Sequence, residues 1–220
     1  DWMNYDLSFS LKYSSVFEPD FMETNQPSTD VYGAFADYRF QDEQDRWTAQ
    51  LGLRSVYVSN LDTYYWEPRL NLSYKPTDNL RIKANGGINH QFINQLIEFD
   101  FNGIGVDNQI WTLVDGEEFP ALRSTQFAFG LDWADNGWFV DIEGYYRRLR
   151  GITSFAPAFA TVDSGDFNEG QGRSYGVDFL LRKRCGNHQS WISYSWSHAE
   201  NFFDHLSSDW FPAFNDQRHR

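Results

Sequence analysis

The sequence alternates. Between Met3 and Tyr13 every second residue is apolar (Met3, Tyr5, Leu7, Phe9, Leu11, Tyr13), and Asn4, Asp6, Ser8, Ser10 and Lys12 lie between them. A period of two is that of an extended strand with one apolar face, because successive side chains of a strand point to opposite sides. The same period recurs over residues 31–41, 47–58, 66–75, 80–91, 121–133, 138–148, 174–183 and 191–199, imperfectly, since Leu180 and Trp191 fall on the polar side. Nine strands are therefore expected, and a tenth is expected to begin near Arg218. Most run 10–13 residues, against about 5–6 in globular proteins and roughly 9–11 for a tilted strand that crosses a bilayer.

The expected connections alternate as well. Short turns fall at 42–46, 76–79, 134–137 and 184–190, and long loops at 15–30, 59–65, 92–120, 149–173 and 201–217. A transmembrane barrel has this asymmetry, with short periplasmic turns and longer extracellular loops. Apolar-face residues bracket the short turns (Phe40 and Trp47, Tyr74 and Leu80, Trp133 and Trp138), as the ring of aromatics at a lipid–water boundary would.

Composition removes the other classes. Mean hydropathy is −0.60, and no stretch approaches the roughly 18–20 continuous apolar residues of a membrane-spanning helix. A chain that is 19% aromatic can bury enough apolar surface to escape disorder. The net charge of −13 argues against a nucleic-acid partner, which needs a basic footprint. A single cysteine, Cys185, excludes an intrachain disulfide and a cysteine-cluster metal site.

The competing architecture is a soluble sandwich or ligand-binding barrel. Nine long strands carrying large side chains on one face would overfill a small barrel, whose interior barely holds its side chains at eight strands. With the apolar face turned to lipid the crowding disappears, and the charged face lines a wide lumen. Free strand edges cannot stand in hydrocarbon, so residues 1–220 are expected to be part of a single larger all-β barrel domain. Neither a signal-peptide pattern at Asp1-Trp2-Met3 nor a terminating signal at Gln217-Arg218-His219-Arg220 is evident, which fits a piece of a longer protein.

Several segments resemble one family. Trp66-Glu67-Pro68-Arg69-Leu70, followed by Leu72-Ser73-Tyr74-Lys75, looks like the Glu-Pro-Arg strand of TonB-dependent outer-membrane receptors. Asp78–Ala84 and Gly87–Phe92 resemble the strand that follows it there. Arg173–Lys183 and Ile192–Ser197 are similar to two consecutive late-barrel strands, and Phe211–His219 to the approach to the next, especially in Bacteroidetes-type receptors. The resemblance runs in order over residues 31–220.

The resemblance implies a 22-stranded antiparallel barrel in the outer membrane of a Gram-negative bacterium, of which this chain supplies about 9–10 strands. It also implies an N-terminal plug whose TonB box is pulled by the TonB–ExbB–ExbD complex, with plug, first strands and last strands expected outside this segment. Outer-membrane lipid is then a partner, and a surface lipoprotein a further one. The implied activity is energised uptake of a scarce nutrient: a ferric siderophore, cobalamin, an oligosaccharide or a peptide. The other readings are a passive porin-like channel and an outer-membrane barrel enzyme.

Two residue sets follow. On the polar face Asp37, Arg39, Arg54, Glu67, Arg69, Arg81, Lys83, Asp132, Asp141, Glu143, Arg147, Asp178 and Arg182 can hold a filling domain by charge-assisted hydrogen bonds, or pair across neighbouring strands. In the loops Tyr64, Tyr65, Trp66, Trp111, Phe155, Trp210 and Phe211 offer aromatic faces to a sugar, catecholate or peptide, or pack on one another. Arg123 and Arg150 flank the loops and suit an anionic ligand.

No catalytic motif is present. His90, His188, His198, His205 and His219 have no metal-ligand spacing, and there is no Gly-x-Ser-x-Gly elbow or P-loop. No cofactor is expected. The acidic clusters Asp115/Glu117/Glu118 and Asp163/Asp166/Glu169 suit either solvent or a loop Ca²⁺, without EF-hand spacing. Acidity is concentrated in the expected loops, which hold 17 acids and 2 bases, leaving the walls nearly neutral.

Overall fold

The computed structural model describes residues 4–17, 28–95, 97–98, 111–117, 119–155, 167–214 and 216–220. Its strands are β1 Asn4–Phe17, β2 Ser28–Gln41, β3 Trp47–Val58, β4 Thr63–Thr77, β5 Leu80–Gln91, β6 Ile93–Gln95, β7 Ile97–Glu98, β8 Trp111–Leu113, β9 Leu122–Asp135, β10 Trp138–Phe155, β11 Phe167–Cys185, β12 His188–Phe202 and β13 Phe211–Pro212. The main sheet runs β1-β2-β3-β4-β5-β9-β10-β11-β12-β13, and the small β7 joins β10 in parallel. Every other pairing in it is antiparallel to its neighbour. After β13 the chain returns to β12 at an isolated bridge, Trp196↔His219, flanked by hydrogen bonds between Ser195 and Arg220, at the place where the tenth strand is expected to begin. Among the described residues no pairing joins β1 to β13, and the sheet is a wall rather than a closed ring.

The register turns the sequence pattern into two faces. One continuous row across the sheet reads Asp37–Gly52–Arg69–Gly87–Gln126–Arg147–Ser174–Ala199. The adjacent row, on the other face, reads Tyr38–Leu51–Leu70–Gly86–Phe127–Tyr146–Tyr175–His198. Leu51, Leu53, Leu70, Leu72, Phe127, Phe129, Leu131, Ile142 and Val177 on that second face are all exposed. A soluble sandwich would bury them. Their exposure as a contiguous surface is the arrangement that lipid satisfies.

Turn chemistry holds the short ends. Asn136 and Gly137, between the paired Asp135 and Trp138, both have positive φ (47° and 76°), as a type I′ hairpin requires. Aromatics mark both edges of the apolar face. Trp47 stacks on Tyr74 at 4.1 Å near the short turns, and Tyr32, Tyr57 and Tyr64 follow one another at 6.3 and 4.9 Å near the opposite end.

Two expectations about loops need correction. Residues 59–65 do not form a long loop: a 3-10 turn, Ser59–Leu61, and Asp62 at φ 46° close the hairpin, and β4 already starts at Thr63. The loop expected at 149–173 is also shorter, because β10 and β11 run 18 and 19 residues and stay paired out to Phe155↔Phe167. Both strands extend well past the roughly 9–11 residues that span a bilayer. Within 92–120, β6 pairs with β8 in a separate two-stranded piece.

Candidate functional site

The polar face is a lattice of charges, and most of them pair across strands. Arg69 on β4 reaches Asp37 on β2, Nε to Oδ1 3.4 Å, over the intervening Gly52 of β3. A side chain on Gly52 would collide with both partners. Arg69 also lies over the Phe35 ring, 5.7 Å from its centroid. Lys83 Nζ on β5 joins Asp132 on β9 at 2.7 Å and Asp141 on β10 at 2.9 Å, tying three strands together. Arg147 Nε donates to Ser124 Oγ at 2.9 Å.

Glu67 is only 4% exposed, the most buried charged group described. Its Oε1 accepts the His90 backbone N–H at 2.6 Å, and its Oε2 accepts Arg54 Nη1 at 3.3 Å. The β4–β5 ladder ends at Arg69↔Gly87, next to Pro68, which has no N–H to donate. Beyond that point the Glu67 carboxylate takes the place of a ladder acceptor. The Glu-Pro-Arg triplet thus has a mechanical role: Pro68 ends a ladder, Glu67 repairs it, and Arg69 crosses to the strand beyond the next.

Above this lattice, on the same face, the buried patch Val31, Val56 and Val58 is packed by Leu61, Tyr65 and Phe92. Tyr65 sits 4.9 Å from the His90 ring and 5.0 Å from Phe92. Asn60 Nδ2 donates to Val114 O, the Val114 N–H to Phe92 O at 3.1 Å, and Asn94 Nδ2 to Pro120 O at 2.9 Å. Residues 92–94 and 113–114 are therefore folded against the polar face at the long-loop end.

The sequence-selected residues divide accordingly. Asp37, Arg54, Glu67, Arg69, Lys83, Asp132 and Asp141 are engaged in wall ion pairs. Arg182 lies over the Phe139 ring at 4.7 Å. Arg39 is directly opposite Asp6, Arg81 directly opposite Asp132, and Glu143 directly opposite Asp178 in the register. Of the aromatic set, Tyr65 faces the buried patch, whereas Tyr64 and Trp66 stand on the apolar face, 63% and 57% exposed. Trp210 lies over the Arg173 guanidinium at 4.4 Å and 5.6 Å from Phe202; Phe211 is 6.3 Å from the buried Phe203. Trp111 is exposed on β8. Phe155 ends β10. Arg123 and Arg150 are opposite one another on β9 and β10. Sequence reasoning missed His90, Asn60, Asn94 and Gly52, none of which carries a local motif.

Asp115 Oδ1 accepts the N–H groups of Glu117 and Phe119 at 2.9 and 2.8 Å, so this carboxylate organises a turn. Glu118, Asp163 and Asp166 lie outside the described residues. Among the described residues no group of three His, Cys, Asp or Glu side chains is placed to hold a metal ion.

The sequence matches the family described as TonB dependent receptor-like, beta-barrel over residues 1–218. Comparison with curated proteins finds no match. Among solved structures the chain is similar to the FrpB iron transporter from Neisseria meningitidis (F3-3 variant), with a TM-score of 0.65, 12% identity, and coverage of 92% of this chain and 34% of that one. It is similar to the siderophore receptor PirA from Pseudomonas aeruginosa, with a TM-score of 0.65, 11% identity, and coverage of 91% and 40%. The ferric enterobactin receptor PfeA from the same organism, as a G324V mutant, gives a TM-score of 0.60, 12% identity, and coverage of 92% and 33%. The chain thus spans a little over a third of the length of these structures.

Proposed function

The chain belongs to the TonB dependent receptor-like β-barrel family, and from that premise we propose that it is a wall segment of a Gram-negative outer-membrane transporter driven through TonB. The observation that carries the reading is the lumen face. Glu143 and Asp178 are directly opposite one another, and neither they nor Arg182 form a salt bridge among the described residues. Like charges directly opposite are destabilising in a bare sheet, and a plug bearing complementary groups relieves them. The wall ion pairs already in place keep the lumen face rigid while such a plug moves.

A ferric siderophore is the first cargo to assay, since the similar structures are named as iron and siderophore receptors. Oligosaccharide, cobalamin and peptide follow. The Tyr65–His90–Phe92 surface and the short β6–β8 pair beside it are where a ligand from outside would first meet the wall.

The test is uptake of radiolabelled ferric siderophores by iron-starved cells with and without the full gene. Loss of uptake on deletion, and equally on collapsing the proton-motive force, is expected. Uptake that depends on the gene but survives de-energisation would replace the reading with a passive channel. Turnover of a surface substrate that disappears with the gene, without uptake, would replace it with an enzyme.

A further inference from the structure

β12 meets the chain that follows it in two registers. Glu200 and Asn201 face Pro212 and Phe211, whereas Trp196 faces His219, and the two pairings do not continue one another. Between them the chain leaves the ladder in a tight turn, closed by the Asp216 N–H donating to Ala213 O at 2.9 Å. The Ala213 N–H donates to Ala199 O at 2.9 Å, and Asp216 Oδ1 accepts the Ala199 N–H at 2.8 Å, so a side chain serves where the ladder offers no backbone acceptor. A junction of this kind opens more readily than an unbroken ladder.

One histidine closes it. His198 Nε2 is 3.0 Å from Glu200 Oε1, and Nδ1 is 3.6 Å from Asp216 Oδ2. Each carboxylate is tied on its far side, Glu200 to Arg173 Nε at 2.6 Å and Asp216 to Arg218 Nε at 3.2 Å. Charges therefore alternate in a row from β11 through β12 to the start of the next strand. Tyr175 of β11 is directly opposite His198 and lies edge-on to its ring at 5.4 Å. His198 is ten residues along β12 from His188. That is about 33 Å of strand and, tilted by roughly 45°, about 24 Å of height, so the row lies at the outer edge of an apolar band about 25 Å tall. Arg218, 57% exposed, keeps it in contact with water.

A neutral imidazole has one N–H and one lone pair, whereas the imidazolium donates from both nitrogens. Only the protonated ring can donate to Glu200 and Asp216 together. On loss of the proton one nitrogen turns a lone pair toward a carboxylate. Glu200 is the closer partner and is held in place by Arg173, so the contact that opens is the one to Asp216.

We propose that His198 is a proton-operated latch at the extracellular end of β12, which in its charged form pins the Phe211–Arg218 junction to the wall and in its neutral form releases it. The pinned state is present at low pH and is lost as pH rises through the titration of His198. Phe211 and the neighbouring Trp210, which lies over the Arg173 guanidinium, move with the junction. The latch belongs to the wall itself and depends neither on the cargo nor on energised uptake.

The test is hydrogen exchange of the Ala199 and Ala213 amides in the complete receptor in lipid vesicles, from about pH 5 to about pH 8, with each rate corrected for the intrinsic pH dependence of exchange. Protection is expected to fall about tenfold in one step as pH rises. H198Q keeps one donor and cannot titrate, and is expected to abolish the step, whereas H205Q and H219Q leave it in place. D216N retains an acceptor for the Ala199 N–H but removes the charge that His198 meets; it is expected to flatten the step and serves if H198Q misfolds. Wild-type protection that does not change with pH overturns the proposal. So does a step that survives in folded H198Q or D216N, or one removed by H205Q or H219Q rather than by H198Q.

Discussion

Arg69 is bound to Asp37 across a strand that places no side chain between them. Nε and Oδ1 are 3.4 Å apart over Gly52, whose Cα position faces both partners in the register. Cross-strand pairing normally joins neighbours; here a glycine lets a pair skip one strand, so three strands of the wall are fixed by one contact.

Gly52→Leu should break that contact and push Asp37 and Arg69 apart, at a cost of about 1–3 kcal/mol for overpacking. Urea unfolding of the complete barrel in lipid vesicles measures it. A double variant with Arg69→Ala should show less than additive loss, because both changes remove the same bridge.

Glu67 carries two obligations, the His90 N–H and Arg54. Glu67→Ala orphans a backbone donor and a guanidinium, at a cost of about 2–3 kcal/mol. Glu67→Gln keeps an acceptor for the N–H and should cost less. Hydrogen exchange of the His90 amide separates them: fast in the alanine variant, still slow in the glutamine one.

Lys83 holds Asp132 and Asp141, which are directly opposite one another. Lys83→Met leaves two carboxylates facing without a cation, a loss of about 1–3 kcal/mol for this half-buried group. Adding Asp132→Asn removes the repulsion and should restore part of that loss. Unfolding of the single and double variants at one pH is sufficient to see the sign.

The strands were legible because lipid enforces the period. Wherever the outward side chain must be apolar, as in Phe127, Phe129, Leu131 and Trp133, the alternation is unbroken. It fades where the strand leaves the bilayer. Arg150 and Arg173 are outward and polar, so the ends of β10 and β11 read as loop although the backbone ladder continues. Tyr64-Tyr65-Trp66 hid the start of β4 for the opposite reason, since Tyr65 is apolar and inward, packed against Val56 and Val58. The charged residues of the lumen were legible as a set, but not their partners. Gly52 and Pro68 decide those, through what one side chain lacks and what one backbone cannot donate.

The central claim is that the apolar rows face lipid and the charged rows the lumen. It is tested most directly by nitroxide labels placed one at a time from Gln126 to Trp133 in the complete protein, with Cys185 replaced by serine, in lipid vesicles. Oxygen accessibility should rise at Phe127, Phe129, Leu131 and Trp133 and fall at Gln126, Ala128, Gly130 and Asp132, with access of a water-soluble nickel chelate low at the first set. A trace without a period of two, or one in the opposite phase, would contradict the account.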